Sequence, residues 1–276
     1  MNVGELLAEA RAALGPAPSG ALEAEVLLRF VLGKGRAWLF ANPEAGVPDE
    51  DAGRFRALVD RRSGGEPVAY LVGEREFWSL RLKVSPNVLI PRPETELLVE
   101  AALEAIPPAA AWRVADIGTG SGAIAIAIAR ERPACEVHAT DISEAALTLA
   151  RENVRNLAPG RIHLHRGNWL EPLAGHFHLI VSNPPYVAED DPHLRQGDCR
   201  FEPLQALTAG PDGLAAIRLI AEQARHVLGD GEILAFEHGY DQGEAVRSLL
   251  VSLNYTSIET RADLAGRDRV TVCKWR

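Results

Sequence analysis

Asn183-Pro184-Pro185-Tyr186 is the stretch of this chain best suited to chemistry. It follows an apolar run, Phe177-His178-Leu179-Ile180-Val181, that reads as a buried parallel strand. Two consecutive prolines then end any strand or helix and remove two backbone donors. What remains is a stiff loop of acceptors: the Asn183 side-chain oxygen, the exposed carbonyls of Pro184 and Pro185, and the face of Tyr186. Such a loop can hold a planar NH2 group by both hydrogens, with the aromatic ring on its flat side. Amide and aromatic amines are weak nucleophiles because the nitrogen lone pair is delocalised. An acceptor pair at that nitrogen is what an enzyme alkylating it needs. The plain alternative is that Pro-Pro ends a strand and Tyr186 fills core.

A second group of residues points to the alkylating reagent. Asp116-Ile117-Gly118-Thr119-Gly120-Ser121-Gly122 lies between a strand and its helix, where glycines permit a tight turn and close approach of a ligand. About 20 residues on, Asp141 ends the next strand, placed to accept hydrogen bonds from ribose hydroxyls. With Ala123, the loop also satisfies the loose dinucleotide pattern, so NAD fits this far. A dinucleotide needs its pyrophosphate on the helix N-terminus. S-adenosylmethionine has no phosphate and carries a sulfonium cation, which the negative charge of Asp116 suits; a turn-forming Asp116 is the alternative. Trp169, after the third strand, is expected to flank an adenine, although a large aromatic beside a sheet often belongs to core. Asn183 is counted on both the cofactor and the substrate side.

These loops need a scaffold. From residue 112 strands and helices alternate, with strands at 113–117, 136–140, 161–165, 177–181 and 232–237 and two more near Thr256 and Val270. Helices are expected over 123–130, 143–153, 214–228 and 243–250. The alternation implies a doubly wound α/β sheet, with ligands at the carboxyl ends of its central strands. Before it, residues 1 to about 70 read as helical: Leu6, Leu7, Ala10, Ala13 and Leu14 recur at helical spacing, and Gly15-Pro16 ends that run. A second helix spans 21–32, and Pro48 with three acids opens a third. Phe77 to Val84 alternates apolar and polar residues, as in a two-stranded connector. Arg92, wedged between Pro91 and Pro93, is held more rigidly than a solvated loop charge requires. Pro93, Glu94 and Glu96 open a further helix.

Composition narrows the classes. The 276 residues suffice for two domains, and 47% hydrophobic with 24% charged residues is ordinary for a soluble globular protein. No apolar run reaches membrane-spanning length, and the start of the chain does not resemble a signal peptide, so a cytoplasmic monomer is expected. Cys135, Cys199 and Cys273 offer neither a disulfide framework nor a metal pair. A net charge of −9 argues against direct nucleic-acid binding. His163 with His165 and His176 with His178 alternate along strands, with no carboxylate or cysteine beside them at ligand spacing, so no metal is expected.

With these residues placed, the chain resembles the family of protein-(glutamine-N5) methyltransferases that modify peptide chain release factors. The matching segments are Gly73-Glu74 with Phe77, Val88 to Glu96, Asp116 to Gly122, Asp141, Ser182 to Tyr186, Phe201-Glu202-Pro203 and Asp263 to Val270. The Asn-Pro-Pro-Tyr tetrapeptide alone is shared with enzymes that methylate adenine; Ile-Pro-Arg-Pro-Glu-Thr-Glu is more specific. The resemblance implies a seven-stranded Rossmann-like S-adenosylmethionine-dependent methyltransferase fold whose last strand is antiparallel. It further implies three segments: a helical domain over 1–72 that docks the partner, a β-hairpin connector over 73–87 and the methyltransferase domain over 88–276. Gly118, Thr119, Gly120, Ser121, Gly122, Asp141 and Trp169 would hold the cofactor. Asn183, Pro184, Pro185 and Tyr186 would hold the substrate glutamine, which lies in the Gly-Gly-Gln motif of bacterial class I release factors. Many relatives carry Asp where this chain has Asn168, and Phe201-Glu202-Pro203 would form part of the substrate wall.

The expected reaction is a direct in-line methyl transfer. Asn183 and the Pro184 carbonyl accept from the glutamine NH2, which orients its nitrogen and favours the charge that develops there. No general base is evident. The rival reading is an amino-methyltransferase acting on adenine N6 or guanine N2 in RNA or DNA, which would require a basic groove and stacking aromatics. A cofactor-binding scaffold without activity would have no reason to keep the acceptor loop.

Overall fold

Five helices form the first of two units, Met1–Glu74 and Arg75–Arg276, of the computed structural model, which describes residues 1–15 and 18–276. They are α1 (Val3–Leu14), α2 (Pro18–Leu32), α3 (Arg36–Ala41), α4 (Asp49–Ser63) and α5 (Val68–Val72). Asn2 caps α1: its side chain accepts the Glu5 amide at 2.8 Å while the Glu5 carboxylate accepts the Asn2 amide at 2.9 Å. The α4 helix carries Asp49, Glu50 and Asp51 in its first turn and Arg61 and Arg62 in its last, matching the helix dipole. Leu6, Leu7 and Ala10 of α1 share one core with Leu27 and Leu28 of α2 and Phe55 and Val59 of α4. Two bonds of 2.8 and 2.9 Å from Arg62 to Glu23 tie α4 to α2. The expected stop of α1 is seen at Gly15; Pro16 lies outside the described residues. The short α3 and α5 carry too few residues to show a period, and the sequence does not announce them.

The second unit opens with a hairpin, β1 (Glu74–Phe77) and β2 (Leu80–Lys83). Its turn residues, Trp78 and Ser79, both have positive φ, 52° and 56°. Neither is Gly or Asn, so the sequence shows alternation there without a turn signal. Glu96 accepts the Trp78 amide at 2.7 Å and Glu131 its indole N–H at 3.0 Å, which secures the turn. Phe77 and Leu82 are buried in the core of this unit.

A 3-10 turn over Pro93–Thr95 then leads into α6 (Glu96–Ala105), so the helix proper starts three residues later than Pro93 suggests. The rest alternates: β3 (Arg113–Ile117), α7 (Ala123–Glu131), β4 (Glu136–Asp141), α8 (Glu144–Leu157), β5 (Ile162–Arg166), β6 (Phe177–Ser182), α9 (Ala215–Ala224), β7 (Leu228–Glu237), α10 (Gly243–Ser252), β8 (Thr256–Ala262) and β9 (Asp268–Lys274). Among the described residues these strands form one seven-stranded sheet in the order β5-β4-β3-β6-β7-β9-β8. The last strand, β9, is antiparallel to both neighbours, as expected. One face packs on α6 and α7 through Leu98, Val99, Ile124 and Ile128, and the other on α9 and α10 through Ile217, Ile220, Val246 and Leu250. Strand order reverses between β3 and β6, and a crevice is expected at the carboxyl ends of that pair. No described helix is long and apolar enough to cross a membrane.

Candidate active site

The loop after β3 is braced from within. Asp116 is fully buried, and its Oδ2 accepts the Thr119 hydroxyl at 2.6 Å and the Ala125 amide at 3.1 Å. Burial pushes its carboxyl up to about 6, against those two bonds. Asp116 thus does the work of a turn-former. It also occupies one of the free amides at the start of α7, where a phosphate would have to sit, so the loop is ill suited to a dinucleotide. Gly118 and Gly122 have φ of 75° and 85°. A Cβ at Gly118 would stand 3.6 Å from the Trp169 ring, and one at Gly122 would meet Ile126 at 3.3 Å. Asp141 Oδ2 accepts the Gly120 amide and Oδ1 the Ser143 amide, each at 2.9 Å. Each oxygen keeps a lone pair for a hydroxyl donor. Burial raises this carboxyl as well, opposed by its backbone hydrogen bonds.

The acceptor loop leaves the sheet next door. Ser182 ends β6 opposite Ile117 of β3, and its hydroxyl donates to the Ile117 carbonyl at 2.7 Å. Asn183 follows. Its Nδ2 donates to Thr95 Oγ1 at 3.1 Å, while its Oδ1 is buried with no partner. The Tyr186 hydroxyl donates to Glu237 at 3.2 Å, and the Tyr186 carbonyl accepts Gln242 Nε2 at 2.9 Å.

Glu237 is fully buried, and desolvation pushes it up to about 7, opposed by Thr95, the Tyr186 hydroxyl and Arg269 and reinforced by Glu94. A carboxyl raised on folding stabilises the fold while protonated. Its contribution is complete below the unfolded value of 4.5 and is lost as the pH rises through about 7. Across that window the wild type should lose on the order of 3 kcal/mol of stability that Glu237→Gln does not lose. Urea unfolding of both proteins across the pH range measures the difference.

Between the two loops lies a cleft of about 1060 Å³, open mouth included. Gly118, Thr119, Gly120, Ser121, Asp141, Trp169, Asn183 and Pro185 all line it, so the structure brings together most of the residues read from the sequence. Gly122, Pro184 and Tyr186 do not line it: Gly122 caps α7, Pro184 is buried, and the Tyr186 hydroxyl is committed to Glu237. Thr140, Thr95, Asn168, Pro203 and Gln205 complete the wall where it matters for binding. The Thr140 hydroxyl is buried and unpartnered. Asn168 spends Nδ2 on Glu171 at 3.1 Å, which leaves its oxygen as the acceptor.

Thr95 is the residue that sequence reading passed over, although its rigid Pro-Glu-Thr context was visible. Arg92, singled out for its setting, pairs with Glu202 at 2.5 Å, and the other oxygen of Glu202 accepts the Ile90 amide at 3.0 Å. The Glu202 side chain is 0% exposed, so Val88–Glu96 and Phe201–Pro203 form one strapped wall.

The expectation that no carboxylate lies beside the histidine pairs is corrected by the fold. Pairing of β6 with β7 brings Glu232 to His176 and His178, with potential ligand atoms within 4.8 Å. The lone pair of His178 Nδ1 is already used by the Arg113 amide at 3.0 Å, which leaves its other nitrogen protonated and unable to ligate. The group also stands at the far end of β6 from Asn183. His238 is buried between Thr271 and the Gly239 carbonyl, a structural position.

The chain has known counterparts. The family model for the PrmC N-terminal domain matches residues 5–73, and that for the methyltransferase small domain matches residues 93–197. The chain is 48% identical over 270 residues to the release factor glutamine methyltransferase of Escherichia coli (strain K12), covering 98% of this chain and 97% of that one. It is 51% identical over 252 residues to the enzyme of the same name from Xylella fastidiosa (strain Temecula1), covering 91% and 92%. The crystal structure of a methyltransferase from Pyrococcus furiosus shares the fold, with a TM-score of 0.54 at 18% identity over 71% of this chain and 88% of that one. By near-half identity along almost its entire length, the chain belongs to the release factor glutamine methyltransferase family.

Proposed function

We propose that this enzyme methylates the side-chain amide nitrogen of the glutamine in the Gly-Gly-Gln motif of bacterial class I release factors, with S-adenosylmethionine as donor. The observation that carries the reading is Asn183 Oδ1, a buried acceptor in the cleft wall with no partner of its own. A buried polar atom without a partner carries a cost of about 1–3 kcal/mol, which an incoming N–H relieves. The glutamine amide offers two such hydrogens, and Pro184 supplies a second acceptor through its carbonyl.

The cleft fits the donor by its chemistry. Asp141 would accept the ribose hydroxyls, Trp169 would flank the adenine, and Thr140, an orphaned hydroxyl, offers a further polar contact. When bound, S-adenosylmethionine supplies the electrophilic methyl group. The protein's part is to hold the amide nitrogen in line, to favour the positive charge developing on it through oriented oxygens, and to keep water out with the Arg92–Glu202 wall. The proton leaves to solvent afterwards.

Asn168, where the family resemblance leads to the expectation of an aspartate, keeps a free oxygen that can do the same accepting job. Asn168→Asp should then change cofactor affinity by no more than about twofold, while Asn168→Ala weakens it by roughly five- to tenfold, one hydrogen bond's worth. Calorimetry with the cofactor distinguishes the two. The substrate assignment is tested by incubating the enzyme with methyl-labelled S-adenosylmethionine, a release factor, its Gln→Ala variant, and DNA. Label is expected only in the unaltered release factor. Label in DNA, or in both proteins equally, would overturn the assignment.

A further inference from the structure

A primary amide fits its site in two orientations of nearly equal shape and opposite polarity. For Asn183 only one is useful to an amine substrate, that with Oδ1 toward the cleft. The neighbouring groups decide between them. Thr95 is 4% exposed, lines the same cleft and accepts Asn183 Nδ2 at 3.1 Å. A hydroxyl that accepts there has one proton left to give. Glu237 is the acceptor beside it: the Thr95 hydroxyl favours its charged form, though Oε2 is left without a completed hydrogen bond. The other oxygen of Glu237 takes the Tyr186 hydroxyl. Once ionised, as the pH rises through about 7, the carboxylate accepts and never donates, so polarity then runs one way, from Glu237 through Thr95 to Asn183.

We infer that Thr95 and Glu237 are positioning residues that fix the Asn183 amide with its oxygen toward the cleft. Neither touches the reacting atoms. Their effect is that the site offers acceptors alone, which selects a substrate bearing an NH2 group and disfavours one that presents an oxygen. The same device anchors Tyr186, so both ends of the acceptor loop are referred to a single buried carboxylate. The inference rests on the function proposed above for its kinetic test, and on the geometry alone for its structural one.

Thr95→Val keeps the shape and removes the hydroxyl; Thr95→Ser keeps the hydroxyl. Thr95→Val should lower kcat on a release factor by about tenfold, one oriented hydrogen bond, with cofactor affinity and Tm close to wild type. Thr95→Ser should restore kcat to within about threefold of wild type. Glu237→Gln turns a donor toward Thr95 and should mimic Thr95→Val. The double variant should be no worse than either single one, because both act through one amide. Additive losses, or equal impairment of the Val and Ser variants, would mean a merely structural role. Hydrogen exchange of the Asn183 side-chain NH2, read by NMR, needs no substrate. It should be protected in the wild type and in Thr95→Ser and lost in Thr95→Val. Equal exchange in all three would overturn the inference even if every release factor stayed unlabelled, an outcome that would separately end the proposed function.

Discussion

Asn183→Ala should cut turnover on a release factor by roughly 10²–10³-fold, the loss typical of removing one group aimed at developing charge. Oδ1, at the end of β6, is a side-chain acceptor of the cleft wall that is buried and unspent. Its removal leaves the substrate NH2 with the Pro184 carbonyl alone, so the nitrogen is no longer held in line. The variant also leaves Thr95 Oγ1 without the donor it had in the wild type. Cofactor affinity should move by far less than turnover, since Asp141 and Trp169 are untouched. Single-turnover kinetics with labelled cofactor separate the two effects. Near-wild-type turnover would remove Asn183 from the mechanism.

Arg92→Ala should have the largest effect on stability near the site. The Glu202 carboxylate has no exposed side-chain surface and depends on Arg92 for its counter-charge. Deleting one member of such a pair strands the other, at a cost of about 3–5 kcal/mol. Burial already raises the Glu202 carboxyl, and Arg92 is the main force opposing the rise. Without Arg92 the folded value climbs further above the unfolded one. The variant's deficit should therefore be smallest in mild acid, where Glu202 is protonated, and grow as the pH rises. Hydrogen exchange of the Ile90 amide, which donates to Glu202, reports the opening directly. The same variant should lose activity, because Pro203 and Gln205 ride on this strap. An Ile90 amide as well protected in Arg92→Ala as in the wild type would refute the strap.

Much of this was legible in the sequence, and the reasons are particular. Strands buried on both faces, such as Leu179-Ile180-Val181, leave unbroken apolar runs, and glycine loops at their ends mark where ligands approach. That placed Gly118, Gly120, Asp141, Trp169 and Asn183 in one cleft. Less legible was what depends on tertiary pairing. Glu237 and Thr95 are far from Asn183 in sequence, and only the fold brings Thr95 against its amide. The segment from Pro192 to Ala206 is built largely of 3-10 turns, which have no hydrophobic period to detect. Asp116 is divided between the two roles its type and position allowed: Oδ2 braces the loop, while Oδ1 is buried without a hydrogen-bond partner.

The hydrogen bond from Ser182 to Ile117 has a consequence for which parts of the site can be altered. It locks two adjacent strands in one register, and the reagent loop and the acceptor loop spring from the locked residues. The spacing of the two loops is thereby set by the sheet on which the fold itself depends. Under the function proposed above, the methylated molecule would meet the Val88–Glu96 and Phe201–Pro203 wall, which is tied to itself by one ion pair. Such a wall can be rebuilt without disturbing that spacing. Fixed spacing and an alterable wall are thus kept on separate parts of the chain.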